Sequence, residues 1–336
     1  MALLTSDTAV SEPVRYLKAK TRWHWAETVF WLATLLPFYF FPDYLQLASQ
    51  IAITALFALS LDLILGYAGI VSLGHAAFFG TAAYAAGIFS KMVWGEPFTG
   101  LIVGTAVAAL LGYASSFVIA RFRHLTLIMI TLGLGLLLEQ AANSASWLTG
   151  GSDGLQGINI WPLFGHFEFD LWGYTAYSYS LVALFIVFLG VRRLINSPFG
   201  LSLRGIRENA VRMPAIGAPS RKHIRTVYTL SAAIAGMAGA LLSQTTQTVA
   251  LDALGFQRSA DVLIMVVLGG AGRLYGGIIG AIVYMIAHDQ FSGIAPQYWY
   301  FWIGLLLIFV VMFLPNGILG GLQAASNWLQ ERWRRK

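Results

Sequence analysis

Residues 46–65 read QLASQIAITALFALSLDLIL, a run in which Asp62 is the sole charge. A hydrocarbon layer about 30 Å thick takes roughly 20 helical residues, and a segment surrounded by lipid must satisfy its backbone hydrogen bonds within itself. The run is therefore expected to be a membrane-spanning helix and not one of the ~10-residue alternating strands of a barrel. Outward from it, similar runs lie near 23–41, 75–92, 98–120, 125–147, 178–191, 226–247, 258–270, 274–291 and 298–315. The fold class that follows is all-α, a polytopic helical bundle of about ten spans. Composition agrees: with 57% hydrophobic and 11% charged residues among 336, there are too few charges to cover a soluble globule. The eighth run is short and glycine-flanked, and Gly66 to Gly74 is glycine-rich, so a broken or partly inserted helix is expected at either place.

Orientation follows from Lys and Arg, which are retained on the cytoplasmic side of short loops. With both chain ends inside, every Lys and Arg except Lys91 and Arg258 falls on that side. Residues 147–177 hold Asp153, Glu168 and Asp170 but no basic residue, which suits a large outward loop. Residues 192–225 hold eight basic residues against the single acid Glu208, which suits a cytoplasmic loop. The organisation expected is a cytoplasmic segment 1–22, a membrane domain 23–320 and a cytoplasmic tail 321–336. The run at 23–41 is long for a signal-peptide core and has no small-residue cleavage pattern, so it reads as a retained first span.

Several chemistries are excluded. The chain has no cysteine, hence no disulfide or thiolate, and its six histidines are scattered, so no metal site is expected. There is no G-x-x-x-x-G-K-[ST] phosphate loop, no G-x-S-x-G elbow and no H-E-x-x-H pair. No catalytic residue is assigned, and this chain is not expected to hydrolyse ATP itself.

The most informative loop is Ser197 to Gly217. Pro198 and Gly200 punctuate its entry, Leu201 to Met213 can form one short amphipathic helix, and Gly217 can end the unit. Leu203, Ile206 and Ala210 recur on the face toward the protein body, leaving Arg204, Arg207, Glu208 and Asn209 to a cytoplasmic partner. The alternative is that the arginines only enforce topology. Ionisable groups inside spans cost a few kcal/mol each, so those present usually face a bundle interior or an aqueous path. Asp62, His75 and Glu139 are such groups. Glu139, Asn143 and Ser146 form a polar stripe at i, i+4 and i+7 that leads into Gly150, Gly151, Ser152, Asp153 and Gly154. The stripe either lines a route or bonds neighbouring helices. His75, at an expected helix start, reads as a packing histidine. The block Leu65 to Gly69 (LGYAG) is echoed at Leu268 to Gly272 (LGGAG), a hint of internal duplication.

Five blocks, in order, resemble the permease subunits of the branched-chain amino-acid ABC importers, M type. They are Leu61 to Gly69 running into Ser72 to Gly80, Leu148 to Leu155, Arg204 to Asn209, Val267 to Gly272 and Phe313 to Gly317. The resemblance covers roughly residues 50–320. It implies an ABC importer permease in a bacterial inner membrane, paired with a second related permease, two cytoplasmic ATP-binding subunits that carry ATP and Mg, and a periplasmic substrate-binding protein. No cofactor on this chain and no nucleic acid are implied; membrane lipid surrounds it. On that reading Arg204, Gly205, Arg207, Glu208, Asn209 and Gly217 belong to the coupling loop toward the ATPases. Asp62, His75, Glu139 and Asn143 approach the translocation path, and Gly150 to Gly154 lie near the outer mouth. Where such importers tend to carry Glu-Ala-Ala, this chain has Val211-Arg212-Met213. Urea and amide importers share the permease type, and Asp62 with Glu139 would alternatively suit an ion-coupled secondary transporter.

Overall fold

Residues 46–65 form most of one continuous helix in the computed structural model of the protein, which describes residues 25–122, 124–170 and 172–324. The expected segment 1–22 lies outside the described residues, and the tail 321–336 is described only to Ala324. In chain order the helices are α1 (Trp25–Ala33), α2 (Pro37–Phe40), α3 (Leu45–Ala68), α4 (Ala76–Met92), α5 (Pro97–Ile119), α6 (His124–Ser144) and α7 (Ser146–Thr149). They continue with α8 (Tyr174–Ile195), α9 (Pro198–Glu208), α10 (Arg212–Ala215), α11 (Ser220–Thr246), α12 (Phe256–Gly269), α13 (Gly276–Ile294) and α14 (Trp299–Phe313). Among the described residues the β contacts are two isolated bridges, Leu155 with Val249 and Leu163 with Phe167.

Among the described residues, six helical stretches are long and apolar enough to cross a membrane: Pro42–Ala68, Pro97–Ile119, His124–Ser144, Tyr174–Ile195, Ser220–Thr246 and Trp299–Ala324. They differ in position. The apolar window of the first is 89% buried and that of His124–Ser144 is 17% buried, so α3 is the core of the bundle and α6 lies on its outside. α11 packs along α5, α4 and α3, and α13 along α12 and α3. Helices lacking a hydrophobic drive between them in lipid associate through close backbone packing, and the small residues of α4 and α11 allow it. Gly239 of α11, for example, meets the Phe79 carbonyl where a Cβ would not fit.

The interruptions expected from the glycines are present. α3 stops at Gly69 (φ 72°), whose N–H returns to Leu65 O while the Ile70 N–H reaches Ile64 O, a left-handed glycine cap. The chain then folds back so that His75 sits beside Ser60, eight residues and roughly 12 Å before the end of α3. α4 starts there and not at the end of α3. α12, with 14 residues, extends only about 21 Å, short of the ~30 Å hydrocarbon layer. The starts of these two short helices meet: Ala76 N donates to Ser259 Oγ at 2.9 Å. The first apolar run is also interrupted, with a turn at Thr34 to Leu36 before Pro37, which has no N–H to continue α1.

The two loops of opposite charge pattern lie at opposite ends of α3. Gly173 abuts Gln46 at its start, and Arg207 packs on Gly66 and Gly69 at its end. The intervening helix is about 33 Å long.

Candidate functional site

The segment after α8 is built as a shelf across the end of the bundle. Ser197 caps α9, accepting the Gly200 N–H at 3.4 Å, and Pro198 occupies its first turn. Leu203 and Ile206 are buried, as their spacing predicted, and Gly200 sits too close to the Ile195 backbone for a side chain. The single helix expected over 201–213 is instead two. Asn209 leaves helical geometry (φ −151°, ψ 93°), and its Oδ1 accepts from Val211 N (3.1 Å) and Arg212 N (2.9 Å) to start α10. A side chain that satisfies two orphan N–H groups makes the break favourable. Gly205 faces the Met213 side chain across this bend, and Gly217 (φ 85°) closes the unit. Glu208, Asn209, Val211 and Arg212 form its exposed tip.

Two arginines expected to face outward also reach back to the bundle, Arg204 half-buried and Arg207 still exposed. Arg207 donates through Nη1 to Gly66 O, and the Arg204 guanidinium lies 5.4 Å from the centre of the Tyr67 ring. Positions 204 and 207 flank the buried stripe of 203 and 206, and their long side chains reach back over the end of α3. There they meet a junction made by the two segments whose sequences echo each other. Asp62 Oδ1, fully buried, accepts the Gly272 N–H at 2.7 Å, and Gly66 packs so closely on Gly272 that a Cβ would strike its backbone. α9, α3 and the turn between α12 and α13 are thus joined within a few ångströms.

His75 lies in a separate, closed cluster. Its Nε2 is 2.9 Å from Ser60 Oγ and 3.4 Å from Ser231 Oγ. Ser60 Oγ donates to Phe57 O and Ser231 Oγ to Ser60 O, both at 2.6 Å. With both hydroxyl protons committed to carbonyls, the network assigns the ring proton to Nε2 as donor. The ring stacks on Phe57 at 5.5 Å and meets the edge of Phe78. Fully buried, it packs as the sequence suggested.

The stripe on α6 is placed differently. Glu139 is half-buried and Asn143 exposed, on a helix whose outer face carries Leu136, Leu137 and Gln140. Ser146 does not continue the stripe. α6 ends at Ser144, and Thr149 Oγ1 bonds Ala142 O (2.6 Å) and Ala145 O (2.9 Å), tightening the chain into α7. Beyond it Gly150, Gly151 and Gly154 all take positive φ, leaving Ser152 and Asp153 exposed while Leu155 pairs with Val249. The candidate residues therefore occupy three places: the α9 end (Asp62, Arg204, Gly205, Arg207, Glu208, Asn209, Gly217), the closed His75 cluster, and the outer face and opposite end (Glu139, Asn143, Gly150 to Gly154). Sequence reasoning missed Tyr67, Gly272 as the partner of Asp62, and the serines at 60, 231 and 259. A serine in an apolar run was the available signal, but its partner was not readable from spacing.

Residues 44–311 match the profile of a family described as branched-chain amino acid transport system / permease component. The chain is 27% identical over 310 residues to the high-affinity branched-chain amino acid transport system permease protein LivM of Escherichia coli K12, covering 86% of this chain and 72% of that protein. It is 24% identical over 287 residues to the LivH permease of the same organism (79% and 91%) and 25% identical over 272 to the fructose import permease protein FrcC of Rhizobium meliloti (78% and 74%). No solved structure gives a significant match.

Proposed function

Since the chain belongs to the branched-chain amino acid transport permease family, we propose that it is the membrane-spanning subunit of an ATP-driven, binding-protein-dependent importer of branched-chain or related hydrophobic amino acids. It sits in a bacterial cytoplasmic membrane with both ends inside and about ten inserted segments, of which α4 and α12 are the shortened pair. A second permease of the LivH kind completes the pore, two ATP-binding subunits dock beneath, and a periplasmic binding protein delivers substrate.

The observation that carries this reading is the α9 shelf. Its exposed tip offers Glu208, Asn209, Val211 and Arg212 to a partner, while its other side is anchored by Arg207 on Gly66 and by the burial of Leu203 and Ile206. A push on the tip reaches α3 directly, and through Asp62 and Gly272 it reaches the turn between α12 and α13. Nucleotide-driven closure of the ATPases would move these elements together, the rigid-body kind of switching that packed interfaces permit. The outward loop at Ser152 and Asp153 is then the docking side for the binding protein.

The test is transport. The chain is co-expressed with its neighbouring transporter genes, reconstituted in vesicles and supplied with binding protein and internal ATP. Uptake of labelled leucine or valine, absent with non-hydrolysable nucleotide, is expected. Uptake that ignores ATP and collapses with an uncoupler would overturn the reading in favour of ion coupling, and uptake of urea or fructose alone would move the substrate assignment.

A further inference from the structure

None of the α1 residues is itself buried, but Trp31 packs on Phe185 and Phe188 of α8 and Phe30 on Tyr275, so α1 lies as a strap over the cleft between α8 and α13, held near its start by the Glu27 carboxylate. Beneath it are two cavities bordered by the same residue, Phe30. The one toward α9, ≈ 740 Å³, is lined by Arg192, Arg204, Arg273, Tyr67 and Tyr275, with Glu27 as its one carboxylate among the described residues. The other, ≈ 280 Å³, is an apolar groove between α3, α8 and α13, with Ile278, Ile282 and Ile286 along one wall. Its tyrosine is satisfied locally, Tyr177 donating to Thr34 O at 2.5 Å.

We infer that this pair of cavities is the binding site of one anionic phospholipid from the leaflet at the α9 end, its phosphate held by Arg204 and Arg273 and an acyl chain laid in the groove under α1. Glu27 is already engaged, by Arg192 at 2.5 Å and by the Tyr275 hydroxyl at 3.1 Å, so the cavity keeps an excess of two positive charges. Neither Arg204 nor Arg273 meets a carboxylate among the described residues. Arg204 lies over Tyr67 and Arg273 donates to Gln323. Basic pockets between membrane helices suit anionic head groups, and the apolar groove lies on the other side of Phe30, farther along α13 at Ile282 and Ile286 than the Leu274 to Ile279 edge of this cavity. The two polarities in series fit an amphiphile better than a free anion. An amino acid fits poorly, because its ammonium group would need Glu27. The adjoining residues 13–22 are also an unsuitable occupant, since Arg15, Lys18, Lys20 and Arg22 repeat the charge of the cavity.

The inference requires only that the chain spans the membrane, so it stands or fails apart from the transport reading. The full chain is purified in detergent, delipidated and titrated with dioleoylphosphatidylglycerol, dioleoylphosphatidylcholine and inorganic phosphate under native mass spectrometry. The glycerol lipid is expected to bind about tenfold more tightly than the choline lipid, and Arg273→Gln to remove most of that preference. Ile282→Trp, which fills the groove without touching charge, is expected to weaken both lipids; Ala48→Met serves if it does not fold. Equal binding of the two lipids, or an unchanged preference in Arg273→Gln, overturns the site. Displacement of the lipid by millimolar inorganic phosphate, with no effect of the groove variants, makes it a free-anion site and overturns the lipid assignment.

Discussion

Asp62 and Gly272 stand 210 positions apart in the chain and are joined by a 2.7 Å hydrogen bond from the glycine N–H to the buried carboxylate. The bond satisfies a backbone donor in a turn that has no helix to supply an acceptor, and it pins that turn to α3 beside the residue that Arg207 grips. An acid in an apolar run is thereby a fastener of the junction. Asp62→Ala leaves the Gly272 N–H without its acceptor and should cost about 1–3 kcal/mol, while Asp62→Asn keeps an oxygen in place and should cost less. Thermal unfolding in detergent reads both. Equal losses in the two variants would refute the fastening role, and a stable Asp62→Asn protein with no transport would point to proton or ion carriage.

Gly66 tests the same junction from the other side. A methyl group there strikes the Gly272 backbone and Asp62 Oδ1, so Gly66→Ala should destabilise by about 1–3 kcal/mol. Gly133 and Gly190 are helical glycines with open space where a Cβ would go, and alanine at either should be neutral or stabilise by up to about 1 kcal/mol. Similar melting shifts at Gly66 and the two controls would show that the close approach is not strict.

His75 is predicted to tolerate an apolar ring. Its Nε2 donates into two serine oxygens whose own protons are already placed, so His75→Phe forfeits one shared hydrogen bond, about 0.5–1.5 kcal/mol, while keeping the contacts with Phe57 and Phe78. Uptake should persist in proportion to the folded fraction. A folded His75→Phe protein that does not transport would instead make the imidazole part of the path.

At the α9 tip, Glu208→Arg changes an exposed charge that makes no ion pair among the described residues and should leave melting within about 0.5 kcal/mol of the native protein. If the tip meets the ATPases, ATP hydrolysis stimulated by the binding protein should fall severalfold. Arg207→Gln should lower both coupling and stability, because it also releases Gly66. Unchanged stimulation in Glu208→Arg would remove the tip from the coupling surface.

The helical class was legible because lipid imposes length and composition on each span, and the six long apolar helices fall where the hydropathy runs are. The interruptions at Gly69 to Gly74 and after Gly269 were legible as glycine clusters. Where the chain goes at those breaks was not, since the depth to which His75 returns depends on Ser60 and on α11, far away in sequence. The buried face of α9 followed from the spacing of Leu203 and Ile206, but its end did not: Asn209 reads equally well inside an exposed helix until its side chain caps the next turn. The inward reach of Arg204 and Arg207 was hidden for a similar reason, because a positive loop looks the same whether its charges face a partner or the carbonyls and rings at the end of α3.

Glu139 and Asn143 provide the last test, because they lie on the outer side of α6 and not inside this chain. A carboxyl group left against lipid costs up to about 2.5–3.5 kcal/mol at a helix centre on insertion scales and less toward the helix end where Glu139 sits, which is still reason to expect another protein surface or water over that face. In the proposed importer the cover is the second permease, and the stripe then borders the path between the two subunits. Glu139→Gln should leave the stability of the isolated chain within about 0.5 kcal/mol and lower uptake by the assembled transporter. The chain has no cysteine, so Asn143→Cys introduces a single reactive thiol. Polar maleimides should label that thiol in the isolated chain, and a short bifunctional reagent should cross-link it to the second permease in the assembly. Normal uptake in Glu139→Gln, together with no cross-link and full labelling of Asn143→Cys in the assembly, would separate the stripe from both the path and the subunit interface.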